Sequence, residues 1–482
     1  MSAAPPLLPF QENAVRRFLE RGALLVAHEA GMGKTRTALE ALRRLAADRP
    51  DFRALVVAPA NLRGNFLENA RRYAPTLGAG IVLAVADLDR RPVSVVSYDF
   101  LRANADALRS RRFDAVVCDE IHHGKNRAAG NHACLAQLRT ATDRFLCLTG
   151  SPLQNSLDQF WALLDLTAGR ELTGELDACL SRAWDLRRAS FLKRLYCRFI
   201  GKRPLVGPPT GVARPAALRR LAGEWVDLID AASAVAFGER PGLAERIVRV
   251  RLTDYEWNAY RYAMRKTDGE CVAAAPDGAL PDRELKNILS ALSAARQTLL
   301  SPDAIRENIS DPAPSGKLAA VAAGVAGQSL PALAFSNFLA FGAKPLHKLL
   351  TGLGVECGLL HGGVPRRKRE EALAKFRAGR LDALVLAPVG GEGLDLPGGG
   401  SVHLADPHWN PEATRQMIGR ARRLGSGRRE LPVFHYRAAG PNGEPTLDDV
   451  IAAVALRKDR VNRAVRDIVT GRIMQDEPLL FR

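Results

Sequence analysis

The chain has 482 residues, enough for two or three domains with well-buried cores. Hydrophobic residues make up 47% and charged residues 25%, the balance of an ordinary globular protein, and no apolar run is long enough to span a bilayer. A net charge of +17 and an isoelectric point of about 10.0 point to a polyanionic partner, nucleic acid first, although an Arg-rich composition alone also raises both.

The start, "MSAAPPLLPFQENAVRRFLE", has no basic n-region followed by an apolar h-region, so a cytoplasmic chain is expected, nucleoid-associated in a bacterium, with a nuclear one left open. Seven cysteines are scattered without a CxxC pair; neither a zinc site nor a disulfide framework is expected.

Short apolar runs at 23–27, 54–59, 93–97, 115–120 and 145–150 alternate with helical patterns, the signature of a parallel sheet covered on both faces. From about 156 to 312 helical patterns take over, as in "LDQFWALLDL" and "DRELKNILSALSAARQTLL", interrupted by the β-like "ERIVRVRLT". Alternation returns at 331–336, 383–388, 402–406 and 431–436, predicting a second α/β domain. In the last helical stretch Leu447, Val450, Ile451 and Val454 share a face, and Thr446 with Asp449 resembles a capping box.

Three clusters carry chemistry. "AHEAGMGKTRTALEAL" ends a strand in Gly31, Gly33, Lys34 and Thr35 and opens a helix. Glycines there let backbone N–H groups close around phosphate oxygens, Lys34 would reach the outer phosphates, and the Thr35 hydroxyl would ligate magnesium. The usual first glycine is replaced by His28. In "VVCDEIHHGKN", Asp119 and Glu120 follow an apolar strand, where Asp119 can hold the metal ion and Glu120 can polarise the attacking water. In "DPHWNPEATRQMIGRARRLGSGR", the spacing of Arg420 and Arg423 puts both on one face of a short helix, able to neutralise charge on a transferring phosphate.

In order and wording these segments resemble the Swi/Snf-type ATPases of helicase superfamily two. "AHEAGMGKT", "DEIHHGKN" and "LTGSPLQNSLDQFWALLDL" resemble its first three motifs. "LAFSNF", "GLLHGG", "VGGEGLDL", "DPHWNP" and "QMIGRARRLG" resemble its second-lobe series, and the likeness runs from Pro9 to the last helix.

The resemblance implies two RecA-like doubly wound parallel-sheet lobes of α/β class, with a helical insertion between them and a C-terminal helix. The expected division is an ATP-binding lobe at 1–165, insertion and linker at 166–312, a helicase lobe at 313–438 and a brace helix at 439–482. It further implies that Gln11 reads the adenine, that Gly393 and Asp395 face the nucleotide, and that His122, Thr149, Ser151 and Gln416 couple nucleotide state to the lobes. ATP and Mg2+ are the implied cofactors.

The implied activity is ATP-driven movement along double-stranded DNA or displacement of bound protein. A strand-separating or RNA-directed helicase, and a DNA-binding scaffold with a decayed ATPase, are the alternatives. A short bacterial, phage or viral member is expected, with specificity supplied by a partner protein or by context. His28 stands where the family usually has Asp, Ile121 where it has Ala, and Asp395 where it has Asn; "RRLGS" replaces its final "HRIGQ". Between 181 and 220 the only acid is Asp185 among many arginines, and Arg187, Arg188 and Arg194 are the expected DNA phosphate contacts.

Overall fold

The computed structural model describes residues 5–29, 31–150, 152–153, 157–182, 209–229, 242–272, 282–306, 309–327, 331–387, 396, 399–422, 430–473 and 479–480. Two compact units result, one of residues 1–238 with 457–482, the other of residues 239–456.

In the first unit, helix α1 (Pro9–Arg21) precedes strand β1 (Ala23–His28), and helix α2 (Lys34–Ala46) follows it. Strands β2 (Ala54–Ala58), β3 (Ala79–Ile81), β4 (Val93–Ser97), β5 (Ala115–Cys118) and β6 (Phe145–Leu148) follow in chain order. A short antiparallel sheet joins β7 (Leu180–Arg182), β8 (Pro209–Val212) and, from the chain's end, a strand at Leu479–Leu480. β9 (Val226–Ile229) then completes a seven-stranded sheet of order β3-β4-β2-β5-β6-β1-β9, with every pairing parallel.

Successive residues of these strands feed opposite cores. On β1, Leu24 and Val26 pack on one face, Leu25 and Ala27 on the other, which is why the strands read as unbroken apolar runs.

The second unit is built the same way. Strands β10 (Gly242–Arg251), β11 (Ala332–Phe335), β12 (Cys357–Leu360), β13 (Ala383–Leu386), β14 (Ser401–Leu404) and β15 (Glu430–Ala439) form a parallel sheet of order β10-β15-β14-β11-β13-β12. Leu333, Phe335, Leu384 and Leu386 fill one core; Ala332, Ala334, Ala383 and Val385 fill the other. Both units are therefore doubly wound α/β sheets.

The stretch read as insertion contributes a strand to each sheet. β9 lies beside β1, and "ERIVRVRLT" falls largely within β10, which pairs with β15 along all ten of its residues as an edge strand. From Ile247 to Arg251 the side chains of β10 alternate exposed and half-exposed, and its β-branched residues suit a sheet edge.

The terminal helix, Leu447–Val469, begins in the second unit, where Leu447 and Ile451 are buried as expected. Only half of the capping box forms. Asp449 accepts the Thr446 N–H at 3.3 Å, while the Thr446 hydroxyl accepts from Asp448 N instead. From Arg457 the helix belongs to the first unit, where Val465, Ile468 and Val469 join the core and Asn462 donates to the Leu153 carbonyl.

Candidate active site

In the first sheet, β5, β6 and β1 are neighbours running in one direction, so the loops that follow them open along the same edge. Those loops carry Asp119 and Glu120, Thr149, and the glycine loop with Lys34. Ligands bind at this carboxyl edge in doubly wound sheets.

The glycine loop leads directly into α2. Gly31 and Gly33 have positive φ (84° and 72°), the left-handed region that favours glycine, and a Cβ on Gly33 would also press on Gln11 Nε2. Gly33 is also the N-cap residue of α2: no side chain caps the helix, and no acid stands in its first turn. The first N–H groups of α2 thus offer an unopposed positive pole, with half-buried Lys34 and Thr35 beside it, a cradle suited to a polyphosphate. Lys34 Nζ rests 3.0 Å from the His28 carbonyl.

Gln11 is buried and holds the loop from α1. Its Oε1 accepts the Leu8 N–H and its Nε2 donates to the Met32 carbonyl, each at 3.0 Å.

The acidic pair is strained and electrostatically split. Glu120 is the one non-glycine among the described residues with positive φ, at 49°. Asp119 is buried; its carboxylate accepts the Glu120 N–H at 3.0 Å, and Tyr98 donates to its main-chain carbonyl at 2.8 Å. Burial, then the neighbouring Glu120 charge, pushes the Asp119 carboxyl up to about 7, with Lys34 pulling the other way. Burial also opposes the charge on Glu120. His122, with Nδ1 at 3.1 Å from Oε2, Lys34 and the Gly150 N–H outweigh it and hold this carboxyl below the usual range. Two adjacent carboxyls, one hard to ionise and one held charged, leave a deficit of positive charge that a divalent cation would fill. Among the described residues no cluster of three His, Cys, Asp or Glu could cage a metal by itself.

His122 is half-buried beside Glu120 and stacks on His123 at 4.9 Å. Thr149 is fully buried at the end of β6. Ser151, Gly393, Asp395, Arg423, Arg187, Arg188 and Arg194 lie outside the described residues.

In the second unit, Asn410 caps helix Pro411–Ala421 by accepting the Glu412 N–H at 3.0 Å. Gln416 and Arg420 lie on this helix, both half-buried. The described helix runs to Ala421, and the expected pairing of Arg423 with Arg420 on one helical face lies outside the described residues.

Several arrangements had no signal in residue spacing. Asp406, just after β14, accepts from Ser336 Oγ at 2.8 Å and Asn337 N at 3.0 Å, with Arg296 Nη2 at 3.4 Å. His28 meets Asp227 of β9 through Nε2 at 3.2 Å. Within the basic stretch, Arg214 donates to the Ala178 carbonyl and Arg219 to those of Ile468 and Ile473, so these two arginines serve the fold.

A doubly wound unit with a phosphate cradle and a split carboxylate pair, followed by a second doubly wound unit, defines the class: a two-lobed core of the nucleotide-hydrolase kind. Residues 10–177 match the SNF2-related domain and residues 322–425 the helicase conserved C-terminal domain, and the chain belongs to the Snf2-type ATPases of helicase superfamily two.

Among curated relatives, the Mus musculus SWI/SNF-related matrix-associated actin-dependent regulator of chromatin subfamily A member 1 is 25% identical over 503 residues, covering 98% of this chain and 43% of the relative. The Arabidopsis thaliana ISWI chromatin-remodeling complex ATPase CHR11 is 25% identical over 480 residues, covering 92% of this chain and 41% of the relative. The chain thus spans less than half the length of these relatives. A solved Sulfolobus solfataricus SWI2/SNF2 ATPase core in complex with dsDNA aligns over 96% of this chain and 97% of its own, at 17% identity and a TM-score of 0.42. No helix among the described residues is long and apolar enough to cross a membrane.

Proposed function

We propose that this chain is an ATP-dependent double-stranded-DNA translocase, hydrolysing ATP to ADP and phosphate to move along duplex DNA or displace bound protein. The observation that carries the proposal is that the uncapped α2 N-terminus with Lys34 follows β1 and the split Asp119–Glu120 pair follows β5, the two strands that flank β6, so both loops open on one sheet edge.

The N–H groups of α2 and Lys34 bind the β- and γ-phosphates. Thr35 and Asp119 would hold Mg2+, which neutralises charge on the phosphate oxygens when bound. Glu120, kept ionised by His122, Lys34 and the Gly150 N–H, accepts a hydrogen bond from the attacking water and orients it toward the γ-phosphorus. Gln11 adds a contact to the adenine.

From the second unit, Gly393 and Asp395 face the nucleotide. Arg420 and Arg423 place positive charge on the transferring phosphoryl group when the lobes close, and His122, Thr149, Ser151 and Gln416 transmit that closure. Residues 1–165 and 313–438 are the two lobes of this cycle, 166–312 the insertion and 439–482 the brace. Arg187, Arg188 and Arg194 grip the DNA phosphates, and a partner protein supplies the specificity that a backbone-reading motor lacks.

Triplex displacement tests the proposal. With ATP and Mg2+, the protein should strip a third strand from a triplex without unwinding the duplex beneath. Unwinding of a forked duplex with no triplex displacement would replace the translocase with a strand-separating helicase.

A further inference from the structure

We propose that Asp227 is a positioning residue of the nucleotide site, holding the phosphate loop in place through His28. β9 runs parallel to β1 with Asp227 opposite Val26 and Ile229 opposite His28, so the Asp227 side chain reaches the last residue before the loop. Asp227 is 6% exposed and has two partners. Arg17 Nη1 lies 3.2 Å from Oδ1, and His28 Nε2 lies 3.2 Å from Oδ2. Arg17 is fixed in turn by the Val226 carbonyl at 3.1 Å and the Gly223 carbonyl at 2.8 Å.

A carboxylate only accepts hydrogen bonds, so the proton of the His28 ring sits on Nε2. Burial lowers the imidazole's affinity for a second proton, against the pull of Asp227, and Nδ1 has no hydrogen-bond partner among the described residues. The ring of Phe10 meets it edge-on at 5.3 Å. The His28 side chain is therefore orientated by Asp227 and Phe10, while its main-chain carbonyl holds Lys34 Nζ.

A single residue thus links a buried carboxylate on β9 to the lysine that must meet the phosphates. α1 holds the loop directly through Gln11 to the Met32 carbonyl and braces Asp227 on β9 through Arg17. The acid expected at position 28 is supplied from the adjacent strand. Loosening Asp227 frees the His28 peptide, and with it the starting position of Lys34, without touching the water-activating Glu120. Such a change should weaken nucleotide binding more than turnover.

The assignment rests on the ATPase reading, and the experiment separates the two. Binding of a fluorescent ADP analogue with Mg2+, steady-state ATP hydrolysis and thermal unfolding are measured on the full chain. Asp227→Ala should raise Kd for the analogue and KM for ATP about tenfold, with kcat within about threefold of native. Asp227→Asn, whose amide oxygen still accepts from His28, should recover most of that affinity. His28→Asp sets two carboxylates together and should weaken binding, and the swapped pair His28→Asp with Asp227→His should restore it.

Native Kd and KM in Asp227→Ala, with only a lower unfolding temperature, would make Asp227 structural and overturn the proposal. So would native affinity in His28→Asp, a result that stands even if Asp227→Ala does not fold. Failure of the unmodified protein to bind the analogue would overturn the ATPase reading itself, and this proposal with it.

Discussion

Glu120 carries two burdens that substitution can separate: a left-handed backbone and the charge that orients water. Glu120→Gln keeps the backbone and an oxygen for the Gly150 N–H but removes the charge that His122 and Lys34 stabilise. Loss of a positioned base costs roughly 10²–10⁴-fold in rate, or about 3–5 kcal/mol of barrier. Nucleotide binding should persist, since the α2 N-terminus and Lys34 are untouched.

Glu120→Gly removes the charge and relaxes the backbone. A left-handed residue costs about 1–2 kcal/mol, glycine's added chain entropy offsets roughly 0.5–1 kcal/mol of that relief, and the half-exposed contact to His122 is worth at most about 1 kcal/mol. These contributions nearly cancel. Glu120→Gly should unfold within about 4 °C of the native protein yet lose turnover as fully as Glu120→Gln. Rapid-quench ATP hydrolysis and calorimetry on one preparation read both quantities. Either variant turning over within tenfold of native would remove Glu120 from the chemistry.

Two further predictions concern the second unit. Lys317 is fully buried with Nζ 2.6 Å from Asp448, which also accepts the Ala438 N–H at 2.8 Å. Lys317→Met should cost about 3–5 kcal/mol in urea unfolding, and Lys317→Met with Asp448→Asn should recover most of it because the amide still accepts from Ala438. A single-variant cost below about 1 kcal/mol would contradict this. His403 is buried, its ring hydrogen-bonded to Ser401 and Tyr436, and burial lowers its pKa to about 4. A lowered folded pKa gives stability that is complete above about pH 6.5 and lost as pH falls toward 4, about 3 kcal/mol in all. His403→Gln should flatten that slope, and an unchanged slope would assign the acid sensitivity to other groups.

The parts of the site legible in the sequence are those built from neighbours along the chain. Gly31 to Thr35 sit where a strand becomes a helix, and Asp119 and Glu120 follow the apolar run of β5, so periodicity and residue type located both. Contacts across the fold were not legible. His28 and Asp227 are 199 positions apart, and Arg296 and Asp406 are 110 apart. "VDLI" is too short and too polar to announce β9, and "CGLL" hides β12 at a half-exposed sheet edge. Charge density misleads at Arg214 and Arg219, because a guanidinium that satisfies buried carbonyls reads the same in sequence as one facing phosphate.

The rate of ATP hydrolysis by the full chain with no polymer, duplex DNA, single-stranded DNA or RNA, at one salt concentration, tests the central claim most directly. A duplex-tracking motor should hydrolyse slowly alone and be stimulated most by duplex DNA. Equal or greater stimulation by single strands or RNA, or no hydrolysis under any condition, would contradict it.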